Sequence, residues 1–466
     1  MTIWLDLEDL VQYFNHSSRP TGIQRLSFEM YRALWRLAGA DGEVRFCRHA
    51  SNRSGFRSIH FPSLEAGILA AAARPPATAK PPANGLFSPV MRFGRRLPTR
   101  YRLPLGEIYR GSHQISKAGK ALSQACLDSV RPNAAKRTRI GGHQFDLGGD
   151  EVAFAPGDWV VNLGASWETS YEDEVLAALK AKQVRFAVLA YDLIPELFPE
   201  WTLQSIMANY HVWLRHTVSA ADKVFAISRC TAQDLVGCMN KIGYQVPAPV
   251  VLPVGNIQPA LPDTPPEPAA RPYVLLVGTI EVRKNHSLML RVWRRLMQSM
   301  PEDDVPDLVF AGGVGWLTTD IMQQLHNAGW LDGKIRLAHR PSEPELASLY
   351  QGCLFTVYPS LYEGWGLPVT ESLSFGKTVA ASNRAAIPEA GGDYCTYFDP
   401  ENVESAYRVI RGLIEHPELV AALEARIAQS FRAPSWDDTA AALLDALMPD
   451  DTQGMVVPSG ISVAAD

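Results

Sequence analysis

The chain has 466 residues and a mass of 51.3 kDa, room for two or three domains of about 150 residues each. Its composition is 47% apolar and 20% charged, as in soluble proteins with sizeable cores. The 44 basic and 49 acidic side chains leave a net charge of -5, which argues against a protein that coats nucleic acid through its overall charge. Six cysteines without a C-x-x-C pair fit reduced thiols in a cytoplasm better than a disulfide framework. The start, MTIWLDLEDL, has early acids where a signal peptide wants positive charge and an apolar core. No apolar run approaches the roughly 18–20 residues that span a bilayer. The expectation is a soluble, cytoplasmic, multi-domain protein.

Short apolar runs alternate with longer helical patterns, the signature of βαβ units and parallel sheets. Strands are predicted at Ile3–Leu7, Glu43–Cys47, Trp159–Leu163, Arg185–Ala190, Lys223–Ile227 and Pro249–Leu252. Between the first two, Ile23, Leu26, Met30, Leu34 and Leu37 recur at three- and four-residue spacing, which predicts a helix with one buried stripe. QPALPDTPPEPAARP, residues 258–272, is too rich in proline for a helix or a central strand and reads as a linker. The rhythm then restarts with strands Tyr273–Val277, Leu308–Ala311, Ile335–Ala338, Leu354–Tyr358 and Thr378–Ala381. The fold class is therefore α/β: two doubly wound, Rossmann-like domains, 1–257 and 273–430, with a ligand between them. A short polar tail follows over 450–466.

One segment breaks the rhythm. Residues 75–148 are rich in proline, glycine and basic side chains; from Arg92 to Arg139 there are 12 Lys/Arg against only Glu107 and Asp128. Interleaved with Phe93, Leu97, Tyr101, Leu103 and Tyr109, these charges suit an anionic membrane surface, where each contributes about 1 kcal/mol. A solvated loop accounts for them slightly better, since no clear amphipathic helix emerges, and RNA ranks well behind both.

The stretch richest in chemical signal is LFTVYPSLYEGWGLPVTESLSFG, residues 354–376. A strand ends at Tyr358, a loop carries Glu363-Gly364-Trp365-Gly366, and Pro368 stands where a helix starts, a position that tolerates a missing N–H. Gly376 supplies a C-terminal stop. Glycines allow close approach of backbone to ligand, and the free N–H groups of a helix start suit an anion. Glu371 is expected in the first turn and Glu363 on the preceding loop, so two carboxylates flank a phosphate-sized pocket and can accept hydrogen bonds from sugar hydroxyls. Acids at a helix start are also favoured on dipole grounds alone.

Glu363 and Glu371 within EGWGLPVTE resemble the paired-glutamate motif of family 4 retaining glycosyltransferases, enzymes of the GT-B fold with two Rossmann-like domains facing across a cleft. VGTIEVRKN (277–285) and ADKVFAISRCTAQDL (221–235) are similar to further motifs of that family. The resemblance covers most of both domains but not 75–148. It implies that Arg283 and Lys284 hold the donor diphosphate, that Glu363 contacts the transferred sugar, and that Glu371 contacts the ribose. The amides of Gly364, Trp365, Gly366 and Leu367 would meet sugar and diphosphate. Gly312 and Gly313 would let the nucleotide approach the backbone, or simply make a tight turn, and His339 and Arg340 would lie near the base. In the first domain, Gly22 resembles the family's N-terminal glycine loop, flanked by Arg19 and Arg25. A final helix over 431–449 is expected to return to the first domain.

One departure stands out. After strand Arg185–Ala190 many members of the family have histidine and aspartate, whereas here Tyr191-Asp192 is followed by LIPELFPEW. A phenol with a pKa near 10 is a poor base, which leaves Asp192 as the candidate to orient or deprotonate the acceptor, or as a turn cap.

There is no H-E-x-x-H, no cysteine–histidine zinc spacing, no G-x-S-x-G and no Walker loop. Neither metal nor cofactor is expected. The implied activity is retaining transfer of a sugar, mannose from GDP-mannose being the first choice, to a glycan or polyprenyl-diphosphate-linked acceptor in bacterial surface polysaccharide or lipopolysaccharide synthesis. The expected partners are thus a nucleotide-sugar, that acceptor and a membrane surface, but not nucleic acid. A sugar-nucleotide 2-epimerase and a non-catalytic nucleotide-sugar scaffold are the alternatives.

Overall fold

The computed structural model describes residues 1–15, 17, 22–39, 42–50, 55–72, 137–140, 143–146, 149–168, 171, 173–256 and 271–448. The tail 450–466, Arg19, the linker before Arg271 and all of the basic insert except 137–140 and 143–146 lie outside the described residues.

In chain order the first strands are β1 (Ile3–Asp6), β2 (Val44–His49), β3 (Phe56–Ile59), β4 (Arg137–Ile140) and β5 (His143–Asp146). Next come β6 (Trp159–Asn162), β7 (Arg185–Ala190), β8 (Lys223–Ala226) and β9 (Val250–Val251). The last are β10 (Tyr273–Val277), β11 (Asp307–Gly312), β12 (Ile335–His339), β13 (Thr356–Tyr358), β14 (Val379–Ser382) and β15 (Cys395–Phe398). The helices that matter below are α1 (Glu8–Phe14), α2 (Ile23–Ala38), α3 (Arg229–Lys241), α4 (His286–Ser299), α5 (Leu367–Ser374), α6 (Ile387–Gly391) and α7 (Trp436–Leu447).

The chain forms two compact units. One comprises Asp6–Phe28 and Arg45–Ala153, the other Met1–Leu5, Glu29–Val44 and Phe154–Asp466. In the smaller unit β2 and β3 pair antiparallel, with Phe46 opposite Ile59, and β4 and β5 form a second antiparallel pair. Asp6 accepts the Glu8 N–H at 2.9 Å and lies 3.0 Å from His49 Nε2, and Arg48 Nε pairs with Glu8 at 3.1 Å.

The larger unit holds two parallel sheets. In the first, the order is β1-β6-β7-β8-β9, with β6 to β9 all parallel. In the second it is β12-β11-β10-β13-β14-β15, parallel throughout. Helices cover both faces of such a sheet, so its strands are continuous apolar runs. YVLLV in β10 sends Val274 and Leu276 to a core with Phe310, Val357 and the α4 residues Leu288, Trp293 and Leu296. Tyr273 and Leu275 alternate to the opposite core with Val309, Ala311 and Tyr350.

Helix α7 starts at a reciprocal cap in which Ser435 and Asp438 satisfy each other's backbone N–H groups. It packs on the first sheet: Trp159 Nε1 donates to the Leu447 carbonyl at 3.0 Å, Thr439 Oγ1 to the Pro253 carbonyl at 2.7 Å, and Lys223 to the Ala446 carbonyl.

The structure adds elements that the sequence pattern does not mark. β3 and β15 have four residues each, and the polar side chains Arg57, Ser58 and Thr396 interrupt their apolar runs. Helix α1, of seven residues, is too short to show a helical period. β9 shrinks to two residues among Pro247, Pro249 and Pro253, which remove ladder donors. The stripe of α2 is also corrected: Leu37 is 45% exposed, and the buried face runs through Leu26, Met30, Leu34 and Ala38, because the step from Leu34 that stays on the face is four residues.

Candidate functional site

β10 ends at Val277 and Gly278 turns with a φ of +148°. A single 3-10 turn, Val282–Lys284, leads to Asn285, whose φ of +57° is left-handed. Asparagine tolerates that region, and its Nδ2 is tied to the carbonyls of Pro359 at 3.2 Å and Pro400 at 2.9 Å. This turn delivers Arg283 and Lys284 to the carboxyl edge of the second sheet, where open α/β sheets bind ligands.

There both cations converge on Glu363. Lys284 Nζ donates to Glu363 Oε1 at 2.7 Å and to the Tyr358 hydroxyl at 2.8 Å. Arg283 Nη1 is ion-paired with Glu363 Oε2, and Arg283 Nη2 donates to Glu281 Oε1 at 2.6 Å. Burial alone would raise the Glu363 carboxyl; Arg283 and then Lys284 outweigh it and hold the pKa at about 2. Burial disfavours the charge on Arg283, but Glu363 and Glu281 more than offset it and keep its pKa above the ordinary value. The same burial lowers Lys284, with Glu363 opposing. His286, whose two ring nitrogens are buried without partners, is held near a pKa of 3 by burial and by Lys284. It adds no charge to the site.

The loop bearing Glu363 runs into α5 through Gly366, at a φ of +129°, and Pro368 lies in the helix's first turn. Trp365 is half-buried and its Nε1 has no partner. A Cβ on Gly364 would stand 1.9 Å from the Tyr191 carbonyl oxygen, so this glycine is required where the loop meets the first domain. Val369 N–H closes back on the Gly366 carbonyl at 2.9 Å, beside Leu367. Glu371 sits in the second turn of α5, not the first, because the helix begins at Leu367. It is buried, and its Oε2 accepts the Tyr350 hydroxyl at 2.9 Å.

Gly312 ends β11, where a Cβ would stand 2.1 Å from the Gly278 carbonyl oxygen; Gly313 faces Arg340. His339 is in register with Gly312, and Arg340, at a left-handed φ of +50°, donates its N–H to the Gly312 carbonyl at 3.1 Å. Both side chains are exposed. Gly22 belongs to the smaller unit, exposed at the entrance to α2 with a φ of +56°.

Tyr191 is buried and its hydroxyl donates to the Leu163 carbonyl at 2.5 Å, a bond that engages its proton within the fold. Asp192 Oδ1 accepts the Ile194 N–H at 3.0 Å, which is a turn cap. Burial raises its pKa, opposed by Arg283 and the Ile194 N–H and reinforced by Glu363 and Glu281. Asp192 thus feels the charges of the Arg283–Glu363 cluster from the first domain.

Sequence reasoning missed Glu281, Tyr358 and Tyr350, which hold Arg283, Lys284 and Glu371 respectively. Glu281 lies inside VGTIEVRKN and could have been found there; the two tyrosines carry no local signal. Among the described residues no group of three or more His, Cys, Asp and Glu side chains could hold a metal ion, and no helix is long and apolar enough to cross a membrane. A cavity of 630 Å³ bordered by Asn256, Ser374, Phe431, Arg432 and Trp436 contains none of the expected site residues.

Residues 258–430 match the model of the family described as glycosyl transferases group 1. Over 170 residues the chain is 34% identical to the O-antigen chain mannosyltransferase B of Escherichia coli, covering 36% of this chain and 39% of that protein. Over 228 residues it is 25% identical to the serotype-specific mannosyltransferase WbdA of Escherichia coli, covering 46% and 28%. The chain thus spans less than half the length of these relatives. The crystal structure of Anabaena Alr3699/HepE in complex with UDP and glucose is similar with a TM-score of 0.54 at 13% identity, over 96% of this chain and 99% of that one. The fold is GT-B, and residues 258–430 are similar to the group 1 glycosyl transferases.

Proposed function

We propose that the protein is a retaining glycosyltransferase that moves mannose from GDP-mannose to a hydroxyl of a glycan or polyprenyl-diphosphate-linked acceptor during bacterial surface polysaccharide synthesis. The observation that carries the reading is the convergence of Arg283 and Lys284 on one carboxylate at the open edge of β10. Two cations at that edge are suited to a departing nucleoside diphosphate, each charge-assisted hydrogen bond being worth roughly 1.5–3 kcal/mol. Similarity to an O-antigen chain mannosyltransferase and to a serotype-specific mannosyltransferase supports the sugar and the pathway.

In this mechanism Arg283 and Lys284 neutralise the diphosphate in place of a metal, with the amides from Gly364 to Leu367 alongside. Glu363 exchanges part of its grip on the cations for the sugar hydroxyls, and Glu371 takes the ribose. The acceptor hydroxyl attacks from the face the diphosphate leaves, and a phosphate oxygen receives its proton. Asp192 orients the acceptor from the first domain. The enzyme works in the cytoplasm, with the basic insert resting on the membrane.

Incubation of the protein with GDP-mannose, UDP-glucose, UDP-GlcNAc or dTDP-rhamnose and a lipid-linked glycan tests the reading. Transfer from GDP-mannose with the anomeric configuration kept is expected. Epimerised donor formed without acceptor would replace the reading with a 2-epimerase, and binding without turnover would leave a scaffold.

A further inference from the structure

The first two turns of α3, in the first domain, meet the second domain at three points that the proposed chemistry does not use. At its start the Glu389 carboxylate of α6 accepts the backbone N–H of Arg229 at 3.0 Å and of Cys230 at 2.8 Å. Its Oε2 also lies 3.5 Å from Arg229 Nε. The opening N–H groups of a helix have no partner within it, and a carboxylate there is favoured by the helix dipole. The Ser228 side chain caps the next free group, the N–H of Thr231, at 2.9 Å.

One turn further along, Asp234 accepts the hydroxyl of Tyr362, and the Cys230 thiol lies 3.4 Å from the same oxygen. Tyr362 is 7% exposed and immediately precedes Glu363. Thr231 Oγ1 stands 3.4 Å from the Gly364 carbonyl. The loop that presents Glu363 is therefore held from the first domain by Asp234 and Thr231. From the second domain it is held by the Arg283 carbonyl, which accepts the Leu361 N–H at 2.9 Å.

We infer that Asp234 and Glu389 are positioning residues that latch the two domains through the first two turns of α3, setting Glu363 in register with the acceptor side. The inference rests on the transferase reading. Neither carboxylate is within the Arg283–Lys284–Glu363 cluster; Asp234 acts through Tyr362 and Glu389 through the helix start. Breaking the latch should impair transfer while leaving the diphosphate grip in place.

The test uses the full chain and the variants Glu389→Ala, Glu389→Gln and Asp234→Ala, with GDP as the binding probe. Hydrogen exchange at the Arg229 and Cys230 amides is expected to accelerate in Glu389→Ala, and the small-angle scattering radius to grow. The kcat should fall about tenfold or more, as misplaced reacting groups do, while the GDP Kd changes by less than about threefold. Glu389→Gln, which keeps an acceptor oxygen, should recover part of the protection and of kcat, separating a latch from a fold that has collapsed. Unchanged exchange and kcat in both Glu389→Ala and Asp234→Ala would overturn the inference, as would GDP affinity falling in step with kcat. If the wild-type protein transfers no sugar, the transferase reading fails while exchange and scattering still decide the latch.

Discussion

Lys284 Nζ donates to Glu363 Oε1 at 2.7 Å across 79 residues of chain, with only 11% and 10% of the two side chains exposed. Arg283 grips the other oxygen of the same carboxylate. One acid thus serves as the counter-charge for two cations whose proposed partner is a diphosphate, and its titration reports on the whole cluster.

A carboxyl held at about 2 in the folded state, against 4.5 as its ordinary value, adds stability that is fully present above pH 4.5. That stability is lost as the pH falls toward 2, and it amounts to roughly 3 kcal/mol. Denaturant titrations of the wild type and Glu363→Gln between pH 7 and pH 2 measure it. The gap between the two proteins is expected to narrow on acidification; parallel curves would show that Glu363 is not coupled to Arg283 and Lys284.

Lys284→Ala removes one of the two proposed diphosphate donors and leaves Arg283 to balance Glu363. GDP affinity should weaken by about 10- to 100-fold, the equivalent of one charged hydrogen bond. Calorimetry reads it directly, and an unaltered Kd rejects the phosphate role.

Tyr191→Phe deletes a hydroxyl that the structure engages with the Leu163 carbonyl. The expected loss is stability of about 1–2 kcal/mol, with kcat close to wild type. A collapse of kcat at unchanged stability would place that hydroxyl on the substrate instead.

Two glycines predict opposite signs. Gly364→Ala sets a methyl against the Tyr191 carbonyl, a main-chain atom with little room to yield, and should cost about 1–3 kcal/mol. Gly412→Ala, inside the helix Val403–Glu415 with nothing within 4 Å, should gain about 0.5–1 kcal/mol. Thermal melts of the two variants check both.

Much of this architecture is written locally. The strand pattern from Tyr273 to Ala381, Pro368 at the start of α5, and the cationic pair after β10 can all be read from short windows, because period and backbone chemistry act over a few residues. The partners of those groups cannot. Tyr358 meets Lys284 only after β10 and β13 lie side by side, and Tyr350, on the helix Glu343–Gly352, meets Glu371 only after that helix and α5 have packed. Asp234 and Tyr362 are 128 residues apart. Leu37 was misassigned to the core because three-residue and four-residue steps fit the same short pattern until the helix has a definite neighbour. Asp192 could be read as base or cap; the cap is visible in the bond from Ile194.

Helix α7 has a consequence for how the chain matures. Trp159 on β6 finds its carbonyl partner 288 residues later, at Leu447. At ribosomal speeds of about 5–20 residues per second, that strand emerges roughly 15–60 s before its lid is synthesised. Through that interval the side of the first sheet that α7 covers, around Trp159 and Pro253, lacks its partner.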